Sequence, residues 1–374
     1  MNKSFSQKLG ERLKKVRESL GLTLNEVSDK IGFNNYQTLS SIEDGSREVK
    51  AHELAALAKV YLKDINYFLD EDKLVEEKVL IYWREAISDD KIKNLKEQEF
   101  LQYCRNYYEL EKKAGIDHKS SLPPFEMDPN AFDYKKCEEL AVACSGVMQL
   151  GSRPACSLEK ILEEKYNVKI IYLDLGLNGS AACSKGYYGS AILINSSDAV
   201  WRRNYDLAHE LFHLITWDMF KDPSSIVEKW ANCFASTLLL PAEEITSEIK
   251  KRSVNDQISD LDLISVAREF LISTEALIWR LVGLRFITSK NAETWLNNSD
   301  VRGLDRKVRS TDKKEAPHIS DRYVNLAFKA YQQGFISKGK LAGYLNVDRI
   351  DLDGKLSEYG YIDEEVYDGS LAIA

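Results

Sequence analysis
The sequence predicts a mainly α chain with a small β-sheet, α+β overall, in which an all-α N-terminal domain precedes an α+β domain. Three observations predict it. Apolar residues recur at helical spacing near the N-terminus, punctuated by Gly21, Gly32 and Gly45. Val168 to Leu173 and the Gly/Ser-marked stretch Gly179 to Leu193 read as short strands. Trp201 to Leu214 contains neither Pro nor Gly, and Tyr205, Leu207, Ala208, Leu211, Phe212 and Ile215 give it an apolar helical face.

The N-terminal elements follow in order. Leu9, Leu13 and Val16 lie on one face of a first helix, with Lys8, Arg12, Lys14, Lys15 and Arg17 supplying positive charge around them. Gly21 ends that helix as a C-terminal cap. Thr23 to Glu26 is a capping box opening a second helix to about Ile31. Gly32 makes the turn, and a third helix runs from about Asn35 to Glu43. Two short helices around a Gly-containing turn match a helix-turn-helix.

Beyond residue 70 the pattern changes. Asp72 to Ala114 reads as helical, with Val79, Leu80, Tyr82 and Trp83, then Phe100, Leu101, Tyr107, Tyr108 and Leu110, as its apolar face. It would serve as a spacer or dimerising helix pair. Ser120 to Phe125 is a linker in which Pro123 and Pro124 block regular structure. Helices are expected from Cys137 to Leu150 and from Leu158 to Tyr166, then the strand and the hairpin, whose last strand would edge a cleft. Ser225 to Leu240 is a helix stopped by Pro241. Leu263 to Leu281 repeats a helix-turn-helix-like pattern but reads as packing. Arg302 to His318 is a charged linker containing Pro317, and Tyr323 to Leu345 forms a small helical unit. The expected domains are 1–70, a helical connector 71–130, 131–290, and a C-terminal segment 300–374.

With 374 residues and 44% apolar content, the chain can build such cores. No segment approaches the length of a membrane span. The N-terminus lacks an apolar signal region, so a cytoplasmic location is expected. Six cysteines without a CxxC pair agree with reduced thiols. The net charge of −8 excludes a general nucleic-acid binder, leaving DNA contact to a local surface. Residues 1–68 hold eleven Lys and Arg against nine Asp and Glu, only a slight positive balance.

The chemistry concentrates at His209-Glu210-Leu211-Phe212-His213. Residues four apart project from nearly the same helix face, so His209 and His213 can grip one Zn²⁺ from one side. Glu210 lies one step round the helix, where its carboxylate can take a proton from an activated water and return it to a leaving amine. A catalytic zinc needs a third protein ligand, and Glu228 opens the next helix.

The stretch Trp201 to His213 resembles the ImmA/IrrE zinc metallopeptidases, as do Glu228 to Pro241 and the strand Ala191 to Asn195. The resemblance covers roughly residues 137–288 and implies a zincin-like α+β metallopeptidase domain. It also implies His209, His213 and Glu228 as zinc ligands and Glu210 as general base. Phe212 replaces a usual Gly and Asn204 a frequent Phe; neither removes a ligand. Leu9 to Lys14, Gly21 to Thr23 and Leu39 to Arg47 resemble the XRE/Cro-type repressor domain, over roughly Phe5 to Leu69. That resemblance implies a third helix in the major groove of a double-stranded DNA operator. Its base-facing candidates are Asn35, Gln37, Thr38 and Ser41, with Arg47 and Lys50 on phosphate. Leu24 stands where the family often places a phosphate-holding Gln, and the turn Phe33 to Tyr36 is one residue longer than usual.

Cys183 in the hairpin admits two readings: a regulatory thiolate closing the zinc site, or a packed thiol, which the commonness of buried free Cys favours. The function expected from the whole is a DNA-binding transcriptional regulator with zinc endopeptidase activity. Its substrate would be an XRE-type repressor, either a partner or the chain itself, cut near Pro123 or Pro317. A non-proteolytic sensor-regulator and an antitoxin-like binding protein are the alternatives. A homodimer is expected, because such DNA domains read palindromes.

Overall fold
In the computed structural model, residues 5–69, 79–85, 87–116, 122–220, 224–255, 257–310 and 319–362 are described. The chain divides into two compact units, Met1–Val79 with Ala86–Arg105, and Leu80–Glu85 with Asn106–Ala374. Among the described residues no helix is long and apolar enough to cross a membrane.

The first unit holds α1 (Phe5–Ser19), α2 (Leu24–Ile31), α3 (Tyr36–Glu43), α4 (Ala51–Val60) and α5 (Ile65–Leu69). Leu9, Leu13, Val16, Val27, Leu39, Ile42, Leu57, Tyr61 and Phe68 fill its core. The expected capping box forms, with Thr23 and Glu26 each satisfying the other's backbone N–H, and Gly32 closes α2 in the left-handed conformation at φ 76°. Gly10 lets α1 meet α3 closely: a Cβ there would lie 2.4 Å from the Ile42 carbonyl oxygen. Arg17 departs from its expected role as surface charge. It is buried, donates to both Glu43 carboxylate oxygens at 2.7 and 2.9 Å, and reaches the Leu22 carbonyl at 2.8 Å. A guanidinium satisfied this fully holds α1 to α3 rather than meeting DNA.

The second unit is built on a four-stranded sheet of β1 (Ile81–Trp83), β2 (Lys169–Leu173), β3 (Ala181–Gly186) and β4 (Gly189–Asn195), in the order β1-β3-β4-β2. Strands β2 and β4 run parallel, and the β1–β3 and β3–β4 pairs antiparallel. One expectation is corrected here. The segment around Tyr82 and Trp83, read as helical, forms the strand β1, because β3 offers it a free edge with Tyr82 opposite Cys183. The last hairpin strand, β4, lies inside the sheet, paired with β2 on one side and β3 on the other.

Helix α6 (Asp90–Lys113) crosses the division between units, and α7 (Tyr134–Met148) and α8 (Leu158–Tyr166) precede the sheet. After it come α9 (Val200–Ile215), α10 (Ser225–Leu239), α11 (Ala242–Arg252), α12 (Asp260–Glu269) and α13 (Thr274–Gly283). One apolar core joins α7 to α13: Cys144, Ile192, Leu211, Phe212, Phe234, Leu238, Val266 and Leu277 all belong to it. The Leu263–Leu281 stretch therefore packs, as expected. Phe212 is wholly buried against Phe132 and Phe234, so its bulk fills the core.

Helices α14 (Ser289–Asn297), α15 (Ser299–Arg309), α16 (Asp321–Gln332), α17 (Lys338–Tyr344) and α18 (Leu352–Glu358) complete the unit. The first half of the expected linker, residues 302–309, is thus part of helix α15, while residues 311–318, with Pro317, lie outside the described residues. Around α16 sits a buried polar cluster. Glu111 bonds Lys169 at 2.8 Å and Arg322 at 2.9 Å, while Tyr107 donates to Glu163 at 3.0 Å and pairs with Ser320 at 2.9 Å.

Candidate metal centre
Helix α9 places His209 and His213 one turn apart on the side that meets α10, both buried. Helix α10 packs across it and brings Glu228 from its first turn. The Nε2 atoms of His209 and His213 are 3.2 Å apart. Glu228 sets Oε2 3.1 Å from the first and Oε1 3.2 Å from the second. Among the described residues, these three form the group that could hold a metal ion. Zn–N and Zn–O bonds of about 2.0–2.1 Å imply tetrahedral edges of about 3.3 Å, close to these separations. A nitrogen–nitrogen–oxygen donor set of this span fits zinc.

The electrostatics agree. Burial holds the His209 imidazole neutral, down to about 4. Glu228 is pushed up by burial but pulled further down by the two imidazoles, to about 2, so it is ionised. Burial raises Glu210 to about 7, offset in part by the Cys183 thiol, and among the described residues its two buried oxygens have no other hydrogen-bond partner. Such a carboxylate can change protonation near neutrality. Cys183 lies beside it on β3; burial, then the Glu210 charge, push its thiol well up.

Sequence reasoning missed the groups around the ligands. Asn232 Oδ1 sits 3.2 Å from His209 Nδ1 and so accepts its N–H, which turns Nε2 toward the other ligands. The Asn232 carbonyl in turn accepts from Tyr205 Oη at 2.9 Å. Asp206, one helical turn before Glu210, is buried between Ser180 and Arg84. Arg84 also reaches Asn232 Oδ1 at 3.5 Å. Asn232 stands within the stretch that carries the family resemblance, so a signal existed; Arg84 comes from far upstream, and no local pattern marks it. A cavity of about 780 Å³ beside α10 is lined by Arg84, Tyr205, Asn232, Cys233, Thr237 and Trp279, among others.

In the first unit the DNA candidates fall as follows. Asn35 caps α3, its Oδ1 accepting from the Thr38 N–H at 3.1 Å and the Thr38 hydroxyl at 3.3 Å. Gln37 is exposed, and Thr38 and Ser41 are half-buried. Arg47 donates to both Glu53 oxygens at 3.1 and 2.7 Å. Lys50 is exposed at the start of α4, and its backbone N–H donates to Glu53 at 2.9 Å.

Comparison with known proteins decides the class of each part. Residues 163–282 match the model of the IrrE N-terminal-like domain, a metallopeptidase-type family, and residues 13–68 match that of a helix-turn-helix. The chain joins these two domains. The candidate metal centre lies inside the IrrE-like match, and α2 and α3 inside the helix-turn-helix match. No curated protein matches the chain. A solved structure of Bacillus thuringiensis PlcR, in complex with the peptide PapR7 and DNA, is similar at 15% identity over 94% of each chain. Its TM-score of 0.16 is too low to carry an argument about this chain.

Proposed function
We propose that the chain is a DNA-binding transcriptional regulator whose IrrE-like domain is a zinc-dependent endopeptidase, cutting an XRE-type repressor, a partner or the chain itself. One observation carries this reading: the Nε2 atoms of His209 and His213 lie 3.2 Å apart, with one Glu228 oxygen 3.1 Å from the first and the other 3.2 Å from the second, and a buried carboxylate stands on the adjacent helical position. When bound by His209, His213 and Glu228, zinc supplies Lewis-acid polarisation of a carbonyl and acidification of a water. Glu210 accepts the proton and returns it to the leaving nitrogen, a role its position near pH 7 suits. Asn232 fixes the tautomer of His209 by holding its Nδ1 proton. In the helix-turn-helix domain, Gln37 is the exposed base-reading candidate, with Asn35, Thr38 and Ser41 beside it and Lys50 toward phosphate. Arg47 reaches phosphate only by leaving Glu53. The chain acts as a homodimer on a palindromic operator in this reading.

The burial of Glu210 favours a second reading, a regulator that senses through the metal domain without cutting. Two variants separate them. Wild type purified without added metal should carry about one zinc per chain by plasma mass spectrometry, and His209→Ala should carry none. Glu210→Gln should keep the zinc and lose hydrolysis by about 10²- to 10⁴-fold. A Glu210→Gln protein that regulates like wild type would establish the sensor instead.

A further inference from the structure
The strand β1 is brought to the metal domain's sheet from a distant part of the chain. Residues on both sides of Leu80–Glu85 belong to the other compact unit, while these six belong to the unit that holds the metal centre. The strand lies antiparallel on the outer edge of β3, with Tyr82 opposite Cys183 and Trp83 opposite Ala182. Cys183 is the β3 residue beside Glu210. The Arg84 N–H donates to the Ala181 carbonyl at 3.0 Å. Hydrogen-bonded pairs alternate along an antiparallel ladder, so Tyr82, two residues before Arg84, faces Cys183 as such a pair.

The side chains of the segment grip α9 and its continuation on both sides of the His209–His213 turn. Before it, Arg84 pairs with Asp206, and Glu85 with Arg202 at 2.8 Å. After it, the Tyr82 ring packs 4.4 Å from that of Trp217. Arg84 also covers the Tyr205 ring and reaches Asn232, the residue that orients His209. A segment of three paired residues has little ladder to hold it, and strand pairing of this kind is open to any extended peptide. Its specific anchor is the cation: Asp206 is 1% exposed, and without Arg84 it would be a buried charge left with the more distant Arg202, at 4.0 Å, as its cation.

We propose that the outer edge of β3 is the site for an extended peptide substrate bearing a basic residue, and that Leu80–Glu85 is a built-in competitor occupying it. The inference rests on the peptidase reading above. While the segment is seated, it covers the approach to Glu210. A substrate displaces it by supplying the same backbone pairing to β3 and its own Arg or Lys to Asp206.

The test uses the full-length, zinc-loaded protein. Tyr82→Pro removes a ladder N–H, and Arg84→Ala, a second route that keeps the strand backbone, removes the anchor. A fluorescein-labelled peptide of the sequence Leu80–Glu85 should bind either variant and bind wild type about tenfold or more weakly. The same peptide with Ala in place of its Arg should bind the variants about tenfold or more weakly too. Hydrolysis of a quenched-fluorescent casein should rise by a similar factor in the variants, at unchanged zinc content. Hydrogen exchange at the Cys183 amide reports whether β3 has been uncovered. A variant with an uncovered β3 that does not bind the peptide overturns the proposal. Peptide binding without any casein hydrolysis, in zinc-loaded protein, supports the peptide site and rejects the peptidase reading instead.

Discussion
Asn232 shows how much of a candidate metal site lies in residues that would not touch the metal. His209 can present Nε2 to a metal only if its ring is held, and the Asn232 side chain takes the Nδ1 proton. Asn232→Ala should leave the fold intact and weaken zinc binding by about 10- to 100-fold, read by competition with a chelator. An unchanged affinity would assign the orientation to packing alone. The candidate ligands His209 and His213 were legible in the sequence because helical geometry converts a four-residue spacing into a shared face. Glu228 was legible only as the first acid of the next helix. The pairing of Arg47 with Glu53 was not legible, since a surface arginine and a glutamate six residues on carry no mark of contact.

At the scale of elements, the contact of α1 with α3 turns on Gly10. In an exposed helix, Gly→Ala stabilises by about 1 kcal/mol through backbone entropy. Here the added Cβ would meet the Ile42 and Glu43 carbonyls at 2.4 and 2.6 Å, backbone atoms that cannot swing away. Overpacking of this kind costs about 1–3 kcal/mol, so the net sign reverses. Gly10→Ala should therefore speed native-state hydrogen exchange at the α1 and α3 amides; slower exchange would show that the helices part freely. The helices of the first unit were legible from caps and glycines, because those signals are local. Strand β1 was not: three apolar residues fit a helix face as well as a sheet edge, and only the presence of β3 decides between them.

At the scale of the whole molecule, the C-terminal helices join the metal domain's unit through buried polar groups. Glu163 is the informative one. Burial raises its pKa from 4.5 to about 8, beside Tyr107 and Ser320. Between those values the folded protein binds a proton that the unfolded chain has released. Stability from this group is therefore full below about pH 4.5 and is lost as pH rises through about 8. Glu163→Gln keeps the hydrogen bonds without the titration, so it should flatten that decline and raise the melting temperature by several degrees at about pH 8, but not at about pH 5. Equal shifts at both values would mean that Glu163 is ionised in the folded protein.

The sequence by itself determined the local features: the helix-turn-helix with its capping box, the helix carrying His209, Glu210 and His213, and the short strands of the hairpin. Each is written within a few consecutive turns, where spacing alone dictates which side chains share a face. The tertiary structure decided what depends on partners distant in sequence. It set Arg84 against Asp206 and Asn232 against His209, and it turned Arg17 inward to Glu43. It laid residues 81–83 along β3. A buried charge or an edge strand takes its place from whatever faces it, and that neighbour is known only once the chain has folded.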